Sequence, residues 1–64
     1  MKDYSITLRD STGRIVILNI NADTIVELTN DGYSLEQAQC CVQDNEFQNA
    51  ISKGIIGDDA YIIA

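Results

Sequence analysis

The chain contains no histidine. That removes the side chain best suited to general acid–base work near neutral pH, and also the commonest metal ligand. Only four lysines and arginines stand against ten aspartates and glutamates, for a net charge of −6. Phosphate backbones and anionic lipid surfaces are both held chiefly by lysine and arginine, so direct binding to nucleic acid or to a membrane is disfavoured. Proline and tryptophan are missing as well. No apolar run approaches the ~20 residues of a spanning helix. The opening Met1-Lys2-Asp3-Tyr4 has neither the basic nor the apolar region of a secretory leader. A cytoplasmic protein is expected.

The remaining chemistry-bearing residues are sparse. Cys40 and Cys41 are adjacent on an expected helix, where side chains diverge by about 100°. They cannot join in an ordinary disulfide, and two neighbouring thiols lack zinc-site spacing. Cys41 is expected as a small buried residue. Cys40 has Glu36, Gln39 and Gln43 around it, which supply no base or cation to activate a thiol. The glycines at 13, 32, 54 and 57 match no phosphate loop, and the carboxylates do not follow a calcium-loop pattern. Asp58 and Asp59 read as a solvated turn. No catalytic residue, cofactor or metal is expected.

What is present is a globular composition, 45% apolar and 22% charged. Residues 1–64 make one small domain, near the lower size limit for folding alone. A core of this size supplies only about 3–5 kcal/mol, and an oligomer or partner interface often supplements it.

The opening reads as a β-hairpin. Tyr4-Ser5-Ile6-Thr7-Leu8 alternates with period two, and Ile15 to Ile20 is nearly all apolar. Asp10-Ser11-Thr12-Gly13 suits a type I turn closed by a glycine bulge. That turn pairs Asp10 with Arg14, Leu8 with Val16, Ile6 with Leu18 and Tyr4 with Ile20. A one-residue slip would split the large side chains between faces. In the favoured register Ile15 and Ile17 lie on the opposite face, beside Ser5, Thr7 and Arg9.

A first helix is expected from Ala22 to Asp31, capped by Asn21, Asp23 or Thr24 and stopped at Gly32. Ile25, Leu28 and Thr29 face one side of it. Ser34 and Gln37 form a capping box for a second helix, whose apolar arc is Leu35, Ala38, Cys41 and Val42. A straight continuation would turn Phe47, Ala50 and Ile51 away from that arc. A break at Asp44-Asn45, with a third helix ending at Gly54, would restore one face. Gly57-Asp58-Asp59 turns the chain into a short strand, Ala60 to Ile63. The expected fold is α+β (ββαααβ): an N-terminal β-hairpin, two to three short helices packed on one sheet face, and a short C-terminal strand.

Two helical patterns bear on function. Ile25, Leu28, Gly32-Tyr33-Ser34 and Ala38 resemble a helix-turn-helix, but Glu27 and Asp31 occupy positions that should be apolar. Its would-be reading helix has no lysine or arginine. Residues 23–51, with Cys41, Val42, Phe47, Ala50 and Ile51 added, also resemble a ubiquitin-associated domain, although the junction before Phe47 is shorter than in that family. The resemblance implies a helical binding module using Gly32-Tyr33 and the third helix.

Two surfaces are candidates for protein binding. Asp23, Glu27 and Asp31, with Asn30 alongside, form an acidic ridge on the first helix. Like charges four apart disfavour a helix slightly, and a basic partner would compensate. Ile15 and Ile17, with Tyr61 and Ile63, form an apolar face on the open side of the sheet, suited to a homodimer or to docking in an assembly. The chain is therefore expected to be a small acidic protein-binding module. One reading is a regulator or inhibitor of a basic protein, such as a nucleic-acid-binding one, of the phage or bacterial kind. The alternative is a structural accessory subunit docking through the apolar face.

Overall fold

A computed structural model describes residues 1–64. Strands β1 (Tyr4–Arg9) and β2 (Ile15–Ile20) lead into helices α1 (Ala22–Asn30) and α2 (Leu35–Ser52), and strand β3 (Tyr61–Ile62) closes the chain. The fold is α+β, with one antiparallel sheet in the order β2-β1-β3.

The hairpin register follows from its turn. Gly13 sits at φ 87°, in the left-handed region open to glycine, and its N–H donates to the Asp10 carbonyl at 3.1 Å. The pairs are Leu8 with Val16, Ile6 with Leu18 and Tyr4 with Ile20. Alternation then places these six side chains on one face. Ile6, Leu8, Leu18 and Ile20 are buried there, with Tyr4 and Val16 packed at their margin.

Local capping sets both helix starts. Asn21 accepts from the N–H groups of Asp23 (2.8 Å) and Thr24 (3.4 Å), and Asp3 accepts from Ala22 N–H at 2.8 Å. Three of the donors orphaned at the first turn of α1 are thereby satisfied. Gly32, at φ 104°, turns the chain after α1. Ser34 Oγ accepts from Gln37 N–H, and Gln37 Oε1 from Ser34 N–H, both at 3.1 Å. The capping box read from the sequence is formed.

The expected break at Asp44-Asn45 is absent: α2 is one helix of 18 residues, and the chain has two helices rather than three. The expectation assumed that a helix must present one apolar face. Instead α2 has neighbours on two sides. Cys41, Val42, Asn45 and Glu46 border a cleft against Asn21, Thr24 and Leu28 at α1. Cys40, Cys41, Gln43, Asp44 and Phe47 border a groove over Ile6 and Ile62 of the sheet, so Cys41 borders both. At 100° per residue the two sets are centred roughly 160° apart. The core cluster therefore takes Ala38, Val42 and Ala50 from α2, with Phe47 and Ile51 packed against it. Leu35 and Cys41, placed in the buried arc by the sequence reading, are both exposed. With α2 unbroken, the three-helix array implied by the ubiquitin-associated resemblance is not formed.

At the C-terminus, Gly54 takes φ 71° and Ala60 N–H donates to the Gly57 carbonyl at 3.1 Å. The turn delivers β3 to the free side of β1, with Leu8 opposite Ile62 and Arg9 opposite Tyr61. Regular strand covers two residues rather than the expected four. Ile63 N–H still donates to the Thr7 carbonyl (2.9 Å), and Thr7 N–H to that of Ala64 (3.0 Å).

Candidate interaction surfaces

The sheet has one covered face and one bare one. Opposite residues share a face, so Ser5, Thr7 and Arg9 of β1 lie with Asn19, Ile17 and Ile15 of β2 on the side away from the helices. Tyr61 joins them through its pairing with Arg9, and alternation adds Ile63 beside Thr7. Ile15 is 60% exposed, Ile17 67%, Tyr61 56% and Ile63 46%. The C-terminal segment does not fold over the two isoleucines; it extends the sheet beside them. None of the ten carboxylates lies within a strand. The strand residues of this face thus include no acidic side chain in a strongly acidic chain, and Arg9 is the one charged side chain among them.

The acidic ridge lies on the other side of the sheet. Asp23, Glu27, Asn30 and Asp31 are all exposed. Asp23 stands in the first turn of α1, where the helix dipole favours a negative charge. Asp31 is the C-terminal cap, where the same dipole disfavours one, and α1 has no basic residue in its last turn. The molecule's one ion pair is elsewhere, Arg14 Nε to Asp10 Oδ2 at 3.0 Å. No ridge carboxylate has a cationic partner within the chain, and Glu27 and Asp31 lie away from the helix end that favours negative charge.

That ion pair belongs to a cluster which sequence reasoning missed. The sequence marks Asp10 as the first residue of a turn and the partner of Arg14; in the fold it is also the one buried charged side chain. Its Oδ1 accepts from Thr12 Oγ1 (2.6 Å), Thr12 N–H (3.0 Å) and Arg14 N–H (3.0 Å). Its Oδ2 accepts from Arg14 Nε and from Gly57 N–H, both at 3.0 Å. Arg14 also donates from Nη1 to the Gly54 carbonyl at 3.2 Å. The Thr12 hydroxyl first, then the Gly57 and Arg14 N–H groups and the Arg14 side chain, hold the Asp10 carboxyl far below the ordinary carboxylate range, against the opposing effect of burial. Aspartate followed two residues later by threonine is a local signal for the turn contacts. Nothing local signals Gly57. The cluster clasps the hairpin turn to the loop before β3, and so fixes where Tyr61 and Ile63 join the face.

Asp58 and Asp59 are exposed, and no group of three or more potential ligand residues is assembled anywhere in the chain. No helix is long and apolar enough to cross a membrane. Comparison with protein-family models, curated proteins and solved structures returned no match. The functional reading therefore rests on the chemistry of the two surfaces.

Proposed function

We propose that the chain is a small, non-catalytic protein-binding module that docks through the bare face of its sheet. The observation that carries this reading is the exposure of Ile15, Ile17, Tyr61 and Ile63 together on one face whose strand residues include no acidic side chain. Scattered exposed apolar residues are ordinary on a soluble surface; two on each side of the Ser5, Thr7 and Arg9 row of β1, all on one sheet face, support an interaction site there. About half of each side chain remains to be buried, worth roughly 1–2 kcal/mol apiece before the costs of association. The test is capture of proteins from lysate by the wild type and by a Tyr61→Lys/Ile63→Lys double variant. A partner held by the wild type and lost by the variant supports the face; equal capture by both removes it.

A second reading, a regulator or inhibitor of a basic protein, is favoured by the placement of Glu27 and Asp31. They stand four residues apart at the disfavoured end of α1 with no cation to offset them. The ridge would then steer a basic partner, and binding would weaken with added salt. Charge reversal of Glu27 and Asp31 should lower the affinity and flatten that salt dependence. Unchanged affinity would take the ridge out of the interface.

A further inference from the structure

The outer edge of β2 yields an inference that rests on the protein-binding reading and names the partner. Asp10 N–H donates to the Arg14 carbonyl at 3.1 Å, so Asp10 and Arg14 are a hydrogen-bonded pair of the hairpin. Such pairs recur at every second residue of an antiparallel ladder. Val16, Leu18 and Ile20 therefore spend their backbone groups on β1. Ile15, Ile17 and Asn19 turn theirs outward. The far side of β1 agrees, because Thr7, opposite Ile17, uses its own N–H and C=O on Ile63 and Ala64.

An open edge of this kind is a template for pairing, and folded proteins usually blunt it with charge, proline, a bulge or brevity. β2 has none of these. It is six residues long, reads Ile-Val-Ile-Leu-Asn-Ile, and pairs with β1 without interruption from Tyr4–Ile20 to Arg9–Ile15. The opposite edge of the sheet is blunted, since β3 is only two residues long.

We propose that β2 pairs antiparallel with β2 of a second copy of this chain about a two-fold axis at Ile17, joining the two sheets into one. Ile17 then faces Ile17 of the second copy, and Ile15 faces Asn19. The outward N–H and C=O groups of all three residues find partners. This register keeps Ile15 and Ile17 on one continuous bare face, and Val16, Leu18 and Ile20 on the helix-covered face; a slip by one residue would mix them. Three features select a second copy over a foreign strand. The segment is complementary to itself under a two-fold, with no charge brought against its own image. The carboxylates lie in turns, helices and loops, so two chains of net charge −6 meet along an uncharged seam. The joined sheets also extend the apolar face of a fold that buries only 11 of its 64 residues.

Sedimentation over a concentration series, at low and high salt, tests the pairing. A dimer that tightens as salt screens the net charge is expected. Amide exchange should slow at Ile15, Ile17 and Asn19 in the dimer and quicken on dilution. Ile17→Pro removes one outward N–H, which an edge strand tolerates without loss of the monomer fold. It should weaken association at least tenfold while circular dichroism is unchanged. If that variant misfolds, Ile17→Lys sets like charges together at the axis and should dissociate the dimer. Tyr61→Lys, two strands away, should leave it intact. A wild-type monomer at every concentration, including one that adds a foreign peptide strand instead, overturns the self-pairing and leaves the capture test of the bare face standing. A dimer lost on Tyr61→Lys, or one whose three amides exchange freely, also overturns it.

Discussion

Asp10 Oδ2 accepts the Gly57 N–H at 3.0 Å across 47 positions of the chain, and this bond ties the first turn to the last loop. Asp10→Ala leaves the N–H groups of Thr12, Arg14 and Gly57 without their acceptor. Asp10→Asn keeps one acceptor oxygen, and its amide meets donors where the second oxygen stood. Both should lower the urea midpoint, alanine more than asparagine. The amides of Ile63 and Thr7 should lose exchange protection first, because β3 reaches β1 through the loop that Asp10 holds. A midpoint unchanged in Asp10→Ala would show the clasp to be dispensable.

The same carboxylate gives the stability a definite pH dependence. In the unfolded chain it titrates near its ordinary value of 3.8, while in the fold it is held well below that. As pH falls past the ordinary value the unfolded state takes up a proton that the folded state does not, and stability declines. The contribution is full above the ordinary value and disappears as pH drops through the depressed one. Urea midpoints of the wild type should fall more steeply than those of Asp10→Asn between about pH 4 and pH 2. Parallel curves would contradict this.

Gly57 is confined by the group it binds. A Cβ there would stand 2.8 Å from Asp59 Oδ1 and 3.3 Å from Asp10 Oδ2. The Asp59 carboxylate is exposed and can swing away, whereas Asp10 is fixed by five hydrogen bonds. Gly57→Ala should therefore cost about 1 kcal/mol, at the low end of overpacking. Adding Asp59→Ala should recover little of it. Full recovery in the double variant would place the strain at Asp59 instead.

The route from sequence to fold was clearest where the deciding residues are neighbours. Gly13 fixed the hairpin register, and Ser34 with Gln37 fixed the start of α2; both rest on bonds within a few residues. The continuity of α2 was hidden because it depends on what lies on either side of the helix. Val42 borders the cleft at α1 and Phe47 the groove over the sheet, and no periodicity within the segment reports two neighbours. Register placed Ile15 and Ile17 on the face away from the helices, but whether the C-terminal segment covers them or extends the sheet beside them depends on the pairing of β3 with β1, which no local signal gives. The Asp10 clasp was not legible either, since its far partner is a backbone N–H that any residue but proline offers.

Glu46→Pro separates the two accounts of α2. Proline is tolerated at the first position of a helix, so a break capped by Asn45 would accept it. Inside a continuous helix it removes a hydrogen bond and clashes with the preceding turn, costing about 3 kcal/mol. Against a total of about 3–5 kcal/mol for a domain of this size, that loss should leave the fold only marginally stable, with a urea midpoint near zero. Urea titration followed by circular dichroism reads the outcome. A midpoint equal to that of the wild type would return the break at Asp44-Asn45.

The ridge offers a case in which stability and binding pull apart. Asp31 caps the C-terminal end of α1, and Glu27 lies one turn before it, so Asp31 meets both a like charge and the negative end of the dipole. Asp31→Lys converts the pair to a glutamate followed four residues later by lysine, the favourable order. Relief of repulsion, the new attraction and the dipole together should raise stability by about 1 kcal/mol at low salt. Added salt should erase most of the gain, because the groups are exposed. The variant should also bind a basic partner more weakly than the wild type, if the ridge steers that partner. A stabilised protein with undiminished binding would show that the acids of α1 are a solvated face. A variant with no gain in low salt would mean that the Glu27–Asp31 repulsion is already relaxed by solvent.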